Sequence, residues 1–324
     1  DGAVRMRVNP DRSGPLAIHV RIPGWARNEP VPGDLYRFAG TSAEPAALKV
    51  NGRAVPLKLD KGYVRLSRTW KPGDVIELHL PMPVRRVAAH EQVAADRGRV
   101  ALQRGPIVYT AEWPDNPNRR VRSLMLPDSA KLAAEFRPDL LRGVMVIRGK
   151  AVALAYEADS KVTRSEQDFT AIPYYAWANR GRGQMMVWIP NSESAARPAP
   201  WPTVATESKV TASPSRRSPR AINDGEDPRS SNDTESYFDW WPARGTTEWV
   251  EYAFAQAATV SECEIYWFDD TGRGQVRVPA SWRLLYKDSD AWKPVENLAP
   301  YGVAKDQYNK VAFRPVTPTG LRLE

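Results

Sequence analysis

The chain has 324 residues, of which 42% are hydrophobic and 29 are proline. This length predicts two or three domains, because single hydrophobic cores rarely grow much beyond ~250 residues. The formal net charge of +8 would suit nucleic acid or an acidic polysaccharide. The basic residues are scattered, however, and no nucleic-acid-binding motif accompanies them, so we expect no nucleic-acid partner.

The residue types that most often carry chemistry are scarce. Cys263 is the sole cysteine, which excludes an intrachain disulfide and a cysteine-based metal site. It lies on the same face of an alternating run as Ile265 and Trp267, which predicts a buried strand cysteine and not a nucleophile. The three histidines have no metal-ligand spacing. No stretch approaches the ~18 apolar residues of a membrane helix, so we expect no membrane span.

The first 83 residues alternate between apolar and polar side chains, as half-buried strands do. In Leu16–Ile22, large aliphatic residues occupy every second position. Asn51–Gly52 follows another apolar run and is a strong hairpin signal. We therefore predict a β-sandwich over residues 1–83, with residues 1–12 as a strand of the following sandwich as the alternative.

A second β-sandwich is predicted over residues 84–190 from apolar runs such as Val100–Tyr109. Within it, residues 128–142 have a composition that suits one short helix. Residues 191–204 are rich in Ser, Ala and Pro, a composition that predicts a linker. We expect the disordered-like character to extend to about residue 220.

A third β unit is predicted over residues 205–324. Its expected strands are Trp249–Phe254, Val260–Phe268, Ser281–Tyr286, Lys310–Phe313 and Leu321–Leu323. The chain begins at Asp1 without an initiator Met and stops at Glu324 within a strand-like run. We interpret both ends as cuts in a longer protein, so the third unit is expected to be truncated at its C-terminus and the absent leader says nothing about location.

The third unit contains the clearest candidate site. Phe238–Pro242 holds two adjacent tryptophans, and neighbouring strand residues face opposite ways, so at least one indole should reach the surface. An exposed indole can stack on the apolar face of a sugar ring while nearby carboxylates bond the hydroxyls. The alternative is that both tryptophans pack at the rim of the sandwich or on the preceding domain. The candidate carbohydrate-binding residues are Asp239, Trp240, Trp241, Asp269, Asp270 and Arg273.

Two further segments have an open role. The acidic segment Ala221–Asp227 contains a glycine, and Asp224 is a candidate ligand for a structural Ca²⁺ ion within residues 205–324. An ordinary Asp-Gly turn is the alternative there. The run Phe169–Gly181 places many aromatic residues around a proline, and either lines a site or plugs a domain interface.

Six short motifs occur in an order that resembles one known family: Ile22–Trp25, Val50–Gly52, Arg68–Asp74, Leu80–Met82, Arg104–Tyr109 and Ile172–Asn179. Together they resemble the region after the catalytic barrel in glycoside hydrolase family 127, the β-L-arabinofuranosidase type. This resemblance spans roughly residues 1–190. Residues 205–324 resemble the discoidin-like sandwich related to carbohydrate-binding module family 32.

The resemblance implies an all-β chain made of two successive β-sandwich units followed by a discoidin-like jelly-roll β-sandwich. It also implies a parent enzyme whose catalytic (α/α)6 barrel is absent from this chain. In such enzymes a zinc-bound cysteine in the barrel acts as nucleophile, so zinc is expected only in the absent domain. No catalytic residue is carried over, and the chain alone is predicted to be inactive.

We therefore expect the non-catalytic accessory and carbohydrate-binding region of a secreted or periplasmic glycoside hydrolase that acts on plant-type polysaccharide or glycan. The expected partners are an oligo- or polysaccharide and the N-terminal catalytic barrel, with a homodimer as a further option. The alternative belongs to a different class: the sandwiches are purely structural and mediate oligomerisation without binding sugar.

Overall fold

The computed structural model describes residues 2–40, 44–181, 183–226, 228, 230–234 and 236–324. Within these residues the chain is nearly all β, and its one α-helix, α1, spans Val204–Glu207. The chain divides into two compact units, Asp1–Ala199 and Pro200–Glu324. In the described ranges, no helix has the length and apolar character that a membrane crossing requires.

The N-terminal part of the first unit contains strands β1 (Ala3–Val8), β2 (Gly14–Arg21), β3 (Tyr36–Phe38), β4 (Ala47–Val50), β5 (Arg53–Val55), β6 (Leu59–Asp60), β7 (Tyr63–Trp70) and β8 (Asp74–His79). One sheet has the order β1-β8-β4-β5 and a second has the order β2-β7-β6. Val20, Leu48 and Trp70 come from both sheets and share one core, so this part is a β-sandwich as predicted. Because β1 pairs with β8, Ala3–Val8 belong to this sandwich, and the alternative that placed this strand in the second sandwich is wrong.

Strand alternation decides which side chains enter this core. In β7, Val64 and Leu66 are buried while Tyr63 and Arg65 are exposed. Trp70 ends the strand with no exposed surface, and its indole N–H donates to the carbonyl oxygen of Leu16 at 3.0 Å. The buried indole N–H of Trp70 therefore has a hydrogen-bond partner, as buried tryptophans usually do.

The Asn51–Gly52 turn joins β4 and β5 as the sequence predicts. Val50 pairs directly with Arg53, which leaves a two-residue loop. Asn51 and Gly52 have φ angles of 51° and 77°, the left-handed values that such a loop needs at both positions. Asn and Gly are among the residues that adopt these values most readily, so the dipeptide fixes the register of this hairpin.

The rest of the first unit contains strands β9 (Val84–Ala89), β10 (Arg99–Arg104), β11 (Ile107–Glu112), β12 (Leu124–Met125), β13 (Leu132–Arg137), β14 (Val144–Tyr156), β15 (Val162–Pro173), β16 (Met185–Met186) and β17 (Ile189–Pro190). They join in a ten-stranded sheet whose main path is β12-β14-β15-β11-β10-β9-β3. Leu102, Tyr109, Leu124 and Phe169 lie at the centre of its core with no exposed surface. The predicted second β unit is therefore present, and β3 ties the N-terminal part to it.

The predicted short helix within residues 128–142 is wrong. Leu132–Arg137 is strand β13, which pairs with β14 along its whole length. The alanine-rich composition suits a helix, but Pro138 disfavours helical geometry at the residue before it. The free hydrogen-bonding groups along the edge of β14 offer a strand partner instead, and this pairing prevails.

The second unit contains α1 and strands β18 (Lys209–Ala212), β19 (Val250–Ala253), β20 (Val260–Tyr266), β21 (Leu284–Asp288), β22 (Ala291–Pro294), β23 (Tyr308–Val316) and β24 (Gly320–Leu323). One sheet has the order β18-β19-β24-β21-β22, and β20 pairs with β23. Leu284 and Phe313 come from the two sheets and share a core with Trp282. This arrangement confirms an all-β unit, while the discoidin-like jelly-roll topology stays a prediction.

The stretch that was predicted to be disordered-like up to about residue 220 contains regular structure. Thr203 caps α1 by accepting a hydrogen bond from the amide of Thr206 at 3.2 Å. Lys209–Ala212 then pairs with β19 as an outer strand of the sheet. Its short, half-polar sequence gave no clear strand signal because edge strands bury little side-chain surface.

Short 3-10 helices occur between the strands, at Gly24–Arg27, Ala94–Asp96, Trp113–Asp115, Pro117–Arg119, Tyr174–Ala176, Glu193–Ala195 and Pro219–Ile222. Two of these helices lie at the surface described below: Trp113–Asp115 follows β11, and Tyr174–Ala176 follows β15.

Candidate functional site

In the first unit, β15 ends at Pro173 and continues into an exposed segment, residues 174–180, which we call the aromatic loop. Tyr174, Tyr175 and Trp177 are 46%, 69% and 38% exposed. The rings of Tyr174 and Trp177 stack with their centroids 5.7 Å apart and their planes 15° apart. Ala176 packs in the core between them, so the loop is anchored by a small buried residue and presents aromatic side chains outward.

A buried ion cluster fixes the far end of the aromatic loop. Arg180 donates to the two carboxylate oxygens of Asp115 at 2.6 and 2.5 Å and also donates to Glu112. The side chain of Glu112 is 1% exposed and that of Asp115 is 10% exposed. Hydrogen bonds to Asp115 and then to Glu112, opposed in part by burial, raise the pKa of the Arg180 guanidinium above its usual value. The Arg180 guanidinium therefore carries its positive charge at neutral pH.

The same cluster holds the backbone of the aromatic loop. The amide of Ala178 donates to Oε1 of Glu112 at 3.2 Å, and Ala178 itself adopts a left-handed φ of 66°. Asn116 joins the ends of β11 and β15 that precede this region, because its side chain donates to the carbonyls of Glu112 and Thr170 and accepts from the amide of Thr170. The hydrogen bond from Ala178 to Glu112 holds a non-glycine residue in a conformation that costs energy, which indicates a fixed loop.

Two carboxylates this close to each other would suit a glycosidase in other surroundings. Here one guanidinium bonds to both, and both are shielded from solvent. A glycosidase needs one carboxyl that can give up a proton to the leaving group and a second that reaches the sugar. Both carboxylates bind Arg180 and neither is open to a sugar ring, so the cluster is structural.

In the second unit, Phe238–Pro242 lies in a loop and not in a strand, and its two tryptophans differ in exposure. Trp241 is 38% exposed, whereas Trp240 is half-buried. The ring of Trp240 meets Phe238 edge-on at a centroid distance of 4.9 Å. Its indole N–H is buried and has no hydrogen-bond partner among the described residues. Trp240 therefore packs against Phe238, and Trp241 is the more exposed of the two indoles.

Asp239 is almost fully buried and already has partners. Its Oδ2 accepts from Nε of Arg217 at 2.6 Å, and its Oδ1 accepts from the amide of Trp241 at 2.9 Å. The guanidinium of Arg217 also lies over the ring of Tyr237, 3.7 Å from its centroid, and donates to its hydroxyl. The carboxylate of Asp239 thus orients the segment that carries Trp241 and is not free for a sugar hydroxyl.

Asp269 and Asp270 have similar internal roles. Asp269 accepts from the amide and the hydroxyl of Thr271. Burial alone would raise the pKa of Asp269, but the hydrogen bonds from Thr271 outweigh it, and the pKa is lowered. Oδ1 of Asp270 accepts from the amide of Val276 at 2.9 Å. Arg273 is exposed and donates to the carbonyl of Ser231.

The structure brings together the two chain segments that carry the predicted residues, one around Asp239 and one around Asp269. The rings of Tyr237 and Phe268 stack with their centroids 4.3 Å apart, where the two segments meet. Further out, Arg244 donates to Oε1 of Gln275 at 2.8 Å and lies over the ring of Trp241 at 5.8 Å. The exposed groups beside Trp241 are therefore Arg244 and Gln275, and neither of them was predicted.

Metal sites are not evident in the described part of the chain, where no group of three or more His, Cys, Asp and Glu side chains could hold an ion. Oδ1 of Asp224 accepts from the amide of Glu226 at 2.9 Å, and its Oδ2 accepts from the hydroxyl of Ser236 at 2.6 Å. This is the geometry of an Asx turn. Asp227 lies outside the described residues, and calcium at Asp224 stays a prediction.

Cys263 does not fit a zinc site. Its side chain packs with Ile265 and Trp267 in the core of the second unit, as the alternation predicts. Burial raises the pKa of the Cys263 thiol to about 12, whereas a zinc ligand must be a thiolate. No step of zinc chemistry is therefore assigned to this chain.

The sheets and cores described above make this an all-β chain built of sandwich units that expose aromatic side chains. Residues 1–82 match the family model of the β-L-arabinofuranosidase GH127 middle domain, and residues 84–190 match that of the glycoside hydrolase family 127 C-terminal domain. The chain belongs to glycoside hydrolase family 127 and carries its non-catalytic middle and C-terminal domains.

Relatives of known function agree with this family. The non-reducing end β-L-arabinofuranosidase of Bifidobacterium longum subsp. longum is 35% identical over 199 residues, which are 57% of this chain and 30% of the relative. A solved GH127 β-arabinofuranosidase is 41% identical with a TM-score of 0.59, and the match covers 62% of this chain and 31% of that one. A GH127 β-L-arabinofuranosidase from Geobacillus stearothermophilus T6 is 40% identical with a TM-score of 0.51, covering 59% and 28%. The chain thus spans about a third of the length of these relatives.

Several functional residues were missed by sequence reasoning. Arg180 is 68 residues from Glu112 and 65 from Asp115, so no local spacing could reveal the cluster. Arg217 lay in a segment predicted to be a linker, and its pairing with Asp239 required the fold. The density of aromatic residues in Phe169–Gly181 was the one signal that pointed to the aromatic loop.

Proposed function

We propose that this chain is the accessory region of a GH127 enzyme of the β-L-arabinofuranosidase type, and that its second unit holds arabinose-containing oligo- or polysaccharide near the catalytic portion. The observation that carries the proposal is the consecutive match of residues 1–82 and 84–190 to the two GH127 domain models. The relatives are named for cleavage of β-L-arabinofuranosides. Since the chain covers 28–31% of their length, the bond-breaking step is assigned to a portion that this chain does not contain.

The support for glycan binding is the surface around Trp241. Its indole is 38% exposed, and the amide of Trp241 donates to Oδ1 of Asp239, so the backbone that carries the indole is already ordered. Arg244 and Gln275 lie beside it and supply hydrogen-bond donors and an acceptor for sugar hydroxyls. A flat apolar ring flanked by polar groups is the usual composition of a small sugar site.

Such a site acts by raising local concentration. A single exposed ring and two polar side chains support weak binding, with a dissociation constant of roughly millimolar to micromolar. When two modules are linked, the effective concentration for the second binding event is of millimolar order, so weak binding is enough to retain a polymer. The second unit would in this way keep a long substrate close without slowing release of the product.

Isothermal titration of the full chain with arabinose-containing oligosaccharides tests the proposal. Trp241→Ala removes the stacking face and should weaken binding about tenfold, which corresponds to ~1.4 kcal/mol. Trp201→Ala is the matched control, because Trp201 is also an exposed indole, 50% exposed, in the same unit but outside the candidate site. We expect this control to bind like the wild type.

The outcomes separate glycan binding by the second unit from the alternative of purely structural sandwiches that mediate oligomerisation. If the wild-type chain shows no affinity for any arabinose-containing glycan, the sugar-binding role of the second unit is wrong. If Trp241→Ala changes the molecular mass in light scattering but not glycan binding, the purely structural alternative with a homodimer is favoured. Equal weakening by Trp201→Ala would show that the effect is not specific to the surface around Trp241.

A further inference from the structure

The aromatic loop has two properties that seldom occur together in a loop without a partner. It exposes three large aromatic side chains, with Tyr175 at 69% exposure. Its C-terminal end is also fixed by the buried ion cluster of Arg180 with Glu112 and Asp115, in which the Glu112 side chain is 1% exposed. Flexible surface loops need no such cluster, and buried ionic groups contribute little net stability when compared with apolar packing. Their best-attested use is to specify one conformation.

A rigid, exposed aromatic surface is suited to binding another rigid surface. Ordering a loop on binding costs conformational entropy, and a loop that is already fixed avoids that cost. Tyrosine and tryptophan are also the residues that most often dominate the binding energy at protein interfaces. The aromatic loop therefore has the composition and the rigidity of an interface hot spot.

The geometry favours a protein partner over a sugar. Tyr174 and Trp177 stack on each other with an interplanar angle of 15°, so one face of each ring is already covered. Sugar stacking uses a free ring face, whereas protein hot spots use edges and polar tips as well. The Tyr174 and Tyr175 hydroxyls and the indole edge of Trp177 remain available for such contacts.

The lengths of the relatives indicate which protein is the partner. The matched residues make up 28–31% of the relatives, so most of each relative lies outside the two sandwich domains. The family models name residues 1–82 the middle domain and residues 84–190 the C-terminal domain, which places the remaining portion before them. That portion is joined covalently and is therefore present at a high effective concentration.

We propose that the aromatic loop is the surface on which the preceding catalytic portion of the same GH127 enzyme docks, with Tyr175 at the centre of the contact. This inference rests on the proposed function and adds the contact surface to it. Arg180 acts as a positioning residue, since it holds the loop through Glu112 and Asp115 and is itself only 21% exposed. The interface would bury Tyr174, Tyr175 and Trp177 together.

Hydroxyl-radical footprinting with mass spectrometry tests the proposal in two samples: the 324-residue chain alone and the whole enzyme that includes its catalytic portion. In the chain alone we expect strong labelling of Tyr174, Tyr175 and Trp177. In the whole enzyme we expect their labelling to fall about fivefold, because hot-spot side chains are desolvated at an interface. Trp201 of the second unit serves as the internal reference for radical dose.

A substitution in the whole enzyme sharpens the test. Tyr175→Ser removes the central ring, so the labelling of Trp177 should rise toward the level of the chain alone. Tyr156→Ser is the matched control, since Tyr156 is a 41% exposed tyrosine of the same unit outside the aromatic loop. Circular dichroism of both variants confirms that the sheets are intact, so a change in labelling reports docking and not unfolding.

Each other outcome contradicts the proposal. Equal labelling of the loop in both samples overturns the docking surface while leaving the proposed function intact. Protection that appears in the chain alone at high concentration assigns the loop to a second copy, and protection by arabinose-containing glycan assigns it to sugar. If the encoded protein has no GH127 catalytic portion, the proposed function and this inference fail together.

Discussion

Asn51 and Asp74 join two turns of the first sandwich, with Nδ2 of Asn51 donating to Oδ1 of Asp74 at 2.8 Å. Oδ1 of Asn51 accepts from the amide of Val75, and Oδ2 of Asp74 accepts from the amide of Lys71, each at 2.8 Å. The Val-Asn-Gly and Lys-Pro-Gly-Asp motifs, which are 23 residues apart at these two positions, are thus halves of one hydrogen-bonded structure. This explains why the two motifs occur together.

The Asn51–Asp74 contact predicts acid sensitivity of the first sandwich. Hydrogen bonds from the amide of Lys71 and then from Asn51 lower the pKa of Asp74 below its usual value. A carboxyl with a depressed pKa stabilises the fold above its unfolded pKa of ~3.9 and loses that contribution as the pH falls through the folded pKa. The wild type should therefore melt at a higher temperature than Asp74→Asn at pH 7, and the difference should shrink below pH ~4.

Thermal melts of both proteins between neutral and acidic pH check this expectation. Asp290→Asn, at an exposed aspartate of the second unit, is the control and should track the wild type at every pH. A difference between Asp74→Asn and the wild type that stays constant with pH would show that the charge of Asp74 is not involved.

Removal of Arg180 should destabilise the first unit strongly. Arg180→Ala leaves Glu112 as a buried, unpaired carboxylate, and loss of one partner of a buried pair costs about 3–5 kcal/mol in the free energy of unfolding. Chemical denaturation followed by circular dichroism measures this loss. Arg137→Ala is the control, because its pair with Asp139 is solvent-exposed and should matter little. If the two variants lose the same stability, the buried cluster has no special role.

The thiol of Cys263 should be unreactive until the second unit unfolds. Burial raises its pKa to about 12, so at pH 8 only about one thiol in ten thousand is the reactive thiolate. Reaction with a disulfide reagent in buffer should be slow, and addition of guanidinium chloride should make it fast. Ser261→Cys places an exposed thiol in the same strand and should react rapidly without denaturant. Fast reaction of the native wild-type chain would contradict the burial of Cys263.

The core of the second unit depends on a shared acceptor. The indole N–H groups of Trp282 and Trp267 both donate to the carbonyl of Gly302, at 2.8 and 3.1 Å. Trp282→Phe removes one hydrogen bond and leaves a small cavity, so the free energy of unfolding should fall by roughly 1–3 kcal/mol. Trp201→Phe, at an exposed indole, should leave it unchanged. Denaturant titration followed by circular dichroism compares the two, and an unaffected Trp282→Phe would contradict the packing described.

Strands with one buried and one exposed face could be predicted from the sequence, and others could not. β7 alternates cleanly because its two faces meet different environments. The β14–β15 hairpin was missed in part, since Val162–Asp168 is polar and mostly exposed and only Phe169–Pro173 enters the core. A strand that is stabilised by hydrogen bonds to its neighbour, and not by buried side chains, has no hydrophobic period to detect.

The candidate site shows the same limit. The sequence predicted that at least one indole of the Trp240–Trp241 pair is exposed, but the pair lies outside the strands, so strand alternation is not the reason. The partners of Asp239 and Asp269 could not be predicted, because a carboxylate in a loop looks the same in sequence whether it binds a ligand or a neighbouring amide. Long-range contacts decide between these roles, and pairings such as Arg217 with Asp239 become visible only once the chain is folded.

The hydrophobic side chains gather into separate clusters around Trp70, Leu102 and Phe313. Differential scanning calorimetry of the chain should therefore record more than one heat-absorption peak, and no single two-state fit would describe it. A substitution inside one cluster should shift the peak of its own region more than the other peaks. A single heating experiment would thus show which region of the chain a core variant such as Trp282→Phe destabilises.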